Sequence, residues 1–117
     1  MKAKLNFRGK IIKFEVEKCQ GFKKYTGLMF KKPETSALLF ENMDKKAIHS
    51  FFCPDFLAVW LQDNKIIDYK LISGNKPLIK SEKPSNKLLE IPLNKKYSEI
   101  IKLFLDDKEK DLNTTST

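Results

Sequence analysis

The chain is poor in the residues that most often carry chemistry. Among 117 residues it has one histidine (His49), one tryptophan (Trp60), two cysteines (Cys19 and Cys53) and four glycines. The two cysteines lie far apart and form no C-x-x-C pair, so both are read as reduced thiols. One histidine and two cysteines cannot supply the usual four-ligand zinc site. Four scattered glycines leave no glycine-rich phosphate loop, and there is no Asp-x-Asp or Glu-x-x-His metal cluster. No metal or other cofactor is expected. Of the 23 basic residues only Arg8 is arginine, so bidentate guanidinium grip on phosphate or guanine is not a general option. No apolar run approaches the ~20 residues of a membrane-spanning helix. The start "MKAKLNFRGK" has charge but no apolar stretch behind it, unlike a secretory signal, so a cytoplasmic protein with no membrane partner is expected.

What is present suits one globular domain. Apolar residues make up 41% and charged residues 32%, and this length supports a single hydrophobic core. The net charge of +8 draws attention to polyanions. The lysines are spread along the chain, however, which also describes an ordinary solvated surface.

Periodicity gives a mostly β chain. Ile12, Phe14 and Val16 alternate with Lys13, Glu15 and Glu17, the pattern of a strand with one buried face. "AKLNF" is its hairpin partner across "RGK". "QGFKKYTGLMFKKPETS" has no clean period and predicts a short helical turn near 20–30, followed by loop. "ALLFENM" predicts a buried strand, and "FLAVWLQDNKIIDYKLI" a hairpin over 56–72. "KLLEIPL" predicts another strand. Tyr97, Ile100, Ile101 and Phe104 then fall on one helical stripe, with Asn94 placed to cap the first turn. The expected architecture is a compact antiparallel β-barrel or β-sandwich with a C-terminal amphipathic helix, occupying 1–105. Residues 106–117, "DDKEKDLNTTST", are expected to fray as a polar tail, because Asp106 and Asp107 oppose the helix dipole.

The segments "YTGLMFKK", "ALLF", "HSFFCPDFLAVWLQDNKIID" and "KLLEIP" occur in an order that resembles the family known as domain of unknown function 192, in its short archaeal form. Gly27, Leu28 and Met29 match that family's signature, although Thr26 stands where the family has arginine. Leu38, Leu39 and Phe40 match its second strand; Phe51, Phe52, Val59, Trp60 and Leu61 its third; Leu89, Glu90 and Ile91 its closing strand. The likeness spans roughly 16–92, and the family's closing glycine-rich turn is replaced by the helix over 97–105. The resemblance implies a compact antiparallel β fold and no particular reaction.

The richest stretch is "HSFFCPDFLAVW", 49–60. Read as a strand, it puts His49, Phe51 and Cys53 on one face. His49 and Cys53 are then about 13 Å apart, too far for a thiol–imidazole pair. Trp60 with the phenylalanines could be a base-stacking platform beside lysine, but "FLAVWL" is too evenly apolar and reads as core. Asp55 with Asp63 or Asp68 could be a carboxylate pair, but Asp63 and Asp55 read as turn chemistry. If a site exists, it is expected at the sheet end formed by the "GLM" loop, with His49 and Met29 on one concavity and Tyr25 or Asp55 at its rim. The expected function is that of a small binding module without its own catalysis, acting on an unidentified ligand or protein. A lysine-rich protein that binds nucleic acid weakly is the alternative, and a hydrolase or redox enzyme of unrecognised type the third reading.

Overall fold

The computed structural model describes residues 1–19, 27–42 and 48–115, with side chains described up to 107. Six strands form a closed barrel: β1 (Lys2–Phe7), β2 (Lys10–Cys19), β3 (Ala37–Glu41), β4 (Phe56–Gln62), β5 (Lys65–Ile72) and β6 (Lys87–Pro92). Their order around the barrel is β1-β2-β3-β6-β4-β5. A 3-10 turn (Lys95–Tyr97) leads into a helix, α1 (Ser98–Thr115). The barrel, rather than the sandwich, is therefore the architecture.

Two pairings differ from the all-antiparallel expectation. β2 runs parallel to β3, with Val16 opposite Ala37, and β1 meets β5 in parallel at Asn6 and Lys65. Only the hairpins β1–β2 and β4–β5 are local pairings of the kind that a turn signal announces. The parallel pairs join segments separated by a crossover, which alternation alone does not reveal.

The side-chain alternation of the strands builds two apolar layers. One fills the barrel: Leu5, Phe14, Val16, Leu39, Leu57, Val59, Leu89 and Ile91 meet Tyr97, Ile100 and Phe104 from the C-terminal segment. The helix contributes to this interior because its apolar stripe recurs at the spacing expected of one face. Asn94 caps the 3-10 turn that leads into it, its side-chain oxygen accepting from the Lys96 N–H. The Tyr97 hydroxyl accepts from the Ala37 N–H at 2.7 Å and donates to the Glu15 carbonyl at 2.9 Å. It thereby bridges β2 and β3 where their parallel pairing begins.

The other layer lies on the outer face of β3, β6 and β4. Leu38, Phe40, Phe56, Ala58, Trp60 and Leu88 are covered by loop residues that include Leu28 and Ile79. Trp60 is core, as its apolar neighbours suggest.

The helix runs on past 105. It continues to Thr115, and Asp107 is buried beside the β1–β2 turn. There it pairs with Arg8 at 2.6 Å and accepts a hydrogen bond from the Tyr69 hydroxyl. This local partner offsets the unfavourable dipole that had suggested fraying at Asp107. Among the described residues, no helix is long and apolar enough to cross a membrane.

Candidate functional site

The candidate site lies in the loop layer outside the barrel, where the 27–30 turn meets residues 48–53. The latter segment is not the strand read from the sequence. Ile48 makes a single bridge to Ile79, and the chain then turns at Phe51 and Phe52. The apparent alternation misled because Ser50 is buried by hydrogen bonds rather than by strand pairing. Its hydroxyl donates to the Gly74 carbonyl and accepts from the Lys76 N–H, both at 2.7 Å. Its backbone N–H donates to the Lys76 carbonyl at 2.9 Å.

That anchoring holds two phenylalanines in an unusual backbone state. Phe30 has φ 61° and Phe52 has φ 58°, the left-handed region that bulky residues avoid. The Phe52 N–H donates to the Asn75 side chain at 3.0 Å, and the Phe52 carbonyl accepts from the Phe30 N–H at 2.8 Å. The surroundings therefore over-determine the strain, as happens where a strained backbone persists. The two rings stack on one another, centroids 5.1 Å apart and planes 13° from parallel. Yet they remain 75% and 63% exposed. A second aromatic pair, His49 with Phe51, sits in the same segment with centroids 5.6 Å apart.

Beneath this surface is Glu90 on β6, 4% exposed. Its strand neighbours across the ladder are Leu38 and Ala58, an apolar setting for a carboxyl group. Burial lifts its pKa to about 8, against the opposing effect of the Leu28 N–H that donates to it. One carboxyl oxygen, Oε1, has no hydrogen-bond partner among the described residues. The 27–30 turn closes directly over it. A Cβ at Gly27 would stand 2.8 Å from Glu90 Oε1 and 3.3 Å from Phe40 Cζ, and Gly27 has φ 50°. Glycine is required here both for space and for backbone conformation.

Cys53 lies at the edge of the same locus, half-buried, its thiol donating to the Phe51 carbonyl at 3.6 Å. Burial first, and the Glu90 charge second, push its pKa up to about 12. A thiol so rarely ionised is a poor nucleophile. The spacing argument against a Cys–His pair lapses with the strand, and this burial takes its place. Cys19 is buried in the same outer layer.

The residues selected from the sequence are placed unevenly. His49 and Met29 are both half-buried and lie on the two turns that meet. The residues that join these turns are Phe30 and Phe52, which the sequence reading did not select as site residues. His49 Nδ1 accepts from the Phe51 N–H at 3.2 Å. It therefore bonds to a backbone amide rather than to a carbonyl, and when neutral the ring carries its proton on Nε2. Asp55 is exposed, and its carbonyl accepts from the Leu93 N–H. Tyr25 lies outside the described residues. Asp63 pairs with Asn86, and Asp68 accepts from Tyr69, Ser81 and Glu82.

Glu90 was missed as well, although it left a signal. Within "KLLEIPL" it is the charged residue on a strand face otherwise held by Leu88 and Pro92. The left-handed phenylalanines left none, since nothing in "LMFKK" or "SFFCP" favours positive φ at the aromatic.

A separate cleft of about 710 Å³ lies at the β1–β5 seam, lined by Phe7, Arg8, Lys65, Asp68, Tyr69 and Asp107 among others. Arg8 and Asp107 there are engaged with each other. Among the described residues, no cluster of three or more His, Cys, Asp or Glu side chains could hold a metal ion. Compared with protein-family models, with curated proteins and with solved structures, the chain matches none.

Proposed function

We propose that this chain is a small binding module without catalysis of its own, and that its recognition surface is formed by the 27–30 and 48–53 turns. The observation that carries this reading is the exposed Phe30–Phe52 stack on a left-handed backbone. Rings left mostly in water add little to a core, while left-handed backbone at a non-glycine residue costs roughly 1–2 kcal/mol. Strain held in place by surrounding hydrogen bonds collects at binding surfaces, where it preorganises a contact. The inert setting of Cys53 supports recognition over thiol chemistry. The seam cleft is the weaker candidate, because its arginine and buried aspartate already satisfy each other.

The module is read as cytoplasmic, with both thiols reduced. The resemblance to domain of unknown function 192 rests on Gly27, Leu28, Met29 and the strand order, and it supplies no ligand. Met29 and His49 lie within the two turns and are assigned a supporting part in the surface.

Titration of the isotope-labelled chain with indole, as a probe for an aromatic-binding surface, tests this reading by backbone amide NMR. Shifts gathered at Phe30, Phe51, Phe52 and Cys53 are expected. Shifts gathered instead at Phe7, Arg8 and Tyr69 would move the site to the seam cleft and overturn the assignment. An unchanged spectrum would overturn it too.

A further inference from the structure

We infer that the Phe30–Phe52 stack seats unpaired bases of a single-stranded nucleic acid, with Lys31, Lys32 and Lys76 holding its backbone; this rests on the reading of the two turns as the binding surface. The geometry of the rings is the first argument. They are 13° from parallel at 5.1 Å and heavily exposed, so a flat base can extend the stack and remove apolar surface from water. Every base has such a face, and the fit requires no particular sequence.

Charge is the second argument. Lys31 and Lys32 directly follow Phe30 in the chain. Lys76 is bonded through its backbone to Ser50, two residues before Phe52. These three lysines are exposed; among the described residues of the adjoining segments the exposed acidic ones are Glu34 and Asp55, and Glu90 is buried beneath. The whole chain carries +8. Lysine is a hydrated point charge, suited to following phosphates and unsuited to bidentate reading of guanine. The only arginine, Arg8, is paired with Asp107 at the β1–β2 turn. The recognition is therefore sequence-tolerant. A protein-binding patch has the opposite bias, with lysine depleted around its aromatic anchors.

Rigidity is the third argument. The hydrogen bonds from Phe52 to Asn75 and from Phe30 to Phe52, with Ser50 bonded to Gly74 and Lys76, fix the platform before any ligand arrives. Duplexes hide their base faces in their own stack, so single strands are the form that this platform takes.

Fluorescence anisotropy tests the inference on the full chain, with end-labelled oligouridine and oligodeoxythymidine of about 12 nucleotides between about 50 and 200 mM salt. Binding that weakens with salt is expected, tighter for single strands than for a duplex of equal length. The double variant Phe30→Ser, Phe52→Ser should lose about tenfold or more in affinity at each salt concentration with an unchanged salt slope. Phe30→Gly with Phe52→Gly, which suits the left-handed backbone, should lose as much and guards against misfolding. Lys31→Ala with Lys32→Ala should flatten the salt slope. Single strands that fail to bind at the lowest salt, duplexes that bind equally well, or phenylalanine variants that bind like the native chain would each overturn the inference. So would a dimer in sedimentation that dissolves when Phe30 and Phe52 are replaced, since the rings would then seat a second copy of the chain. Indole shifts at these turns without oligonucleotide binding would leave the surface assigned and remove only the nucleic acid; loss of both would remove both.

Discussion

The barrel interior and the loop layer on its outer face are built on the same strands but follow opposite rules. Inside, Val59, Leu89 and Phe104 are fully buried. The buried hydroxyl of Tyr97 has both an acceptor and a donor. Outside, one strand step away, Glu90 is buried with an oxygen lacking a partner among the described residues, and two phenylalanines stand in water on a strained backbone. The interior is closely packed and its buried hydroxyl is satisfied. The outer layer gives up stability at several points within one small region, and such concentrations of strain mark the place where a fold has been bent toward another purpose.

The largest expected contrast comes from Glu90. A carboxyl group whose pKa rises on folding is neutral in both states at low pH. Above its unfolded value the unfolded chain gains charge that the folded chain resists, so stability falls as pH rises. The fall runs from about pH 4.5, the ordinary value, to about pH 8, the folded value, and then levels off. The full difference is on the order of 5 kcal/mol. Glu90→Gln should therefore match the native chain near pH 4 and exceed it by several kcal/mol near pH 9. Denaturant unfolding across this range checks it. A variant weaker than the native chain at high pH would show that ionised Glu90 has a partner.

The interior should respond in the ordinary way. Phe104→Ala is expected to cost about 3–5 kcal/mol at any pH, seen as a lower denaturant midpoint with an unchanged slope. A loss below about 1 kcal/mol would mean that the helix is not part of the core.

Gly27 lies where the two layers meet. Gly27→Ala adds a methyl 2.8 Å from Glu90 Oε1 at φ 50°, and about 2–3 kcal/mol should be lost from backbone strain and crowding. Thermal unfolding measures it. Adding Glu90→Gln should not restore the loss, because the amide is as large as the carboxyl group.

Legibility in the sequence follows the same division. Ile12, Phe14 and Val16 announced β2 because one face of that strand fills the barrel. The hairpin of β4 and β5 was readable from its apolar runs and the "QDNK" turn, and the 3-10 turn with α1 from the stripe of Tyr97, Ile100 and Phe104. These elements are specified by local period. The closure of the barrel was not readable in detail, because the parallel pairs Val16–Ala37 and Asn6–Lys65 depend on crossovers rather than turns. In the outer layer the signals were misleading. "HSFFC" alternates like a strand, yet Ser50 is buried by a hydroxyl network. Phe51 and Phe52 stand just before "FLAVWL", which reads as core, yet they are exposed. The apolar context located the right segment, but the residue types did not reveal which side chains face water.

The smallest expected effect bears most directly on the division between the two layers. If Phe30 and Phe52 are held in place for recognition rather than for folding, the double variant Phe30→Gly, Phe52→Gly should be as stable as the native chain or more so, by up to about 1 kcal/mol. Release of the left-handed strain offsets the added flexibility of glycine in the unfolded chain. Equilibrium denaturant unfolding of the two proteins measures this. Equal or greater stability is the predicted result; a loss of about 2 kcal/mol or more, comparable with a buried side chain, would show that the stack is part of the fold and contradict its assignment as a binding surface.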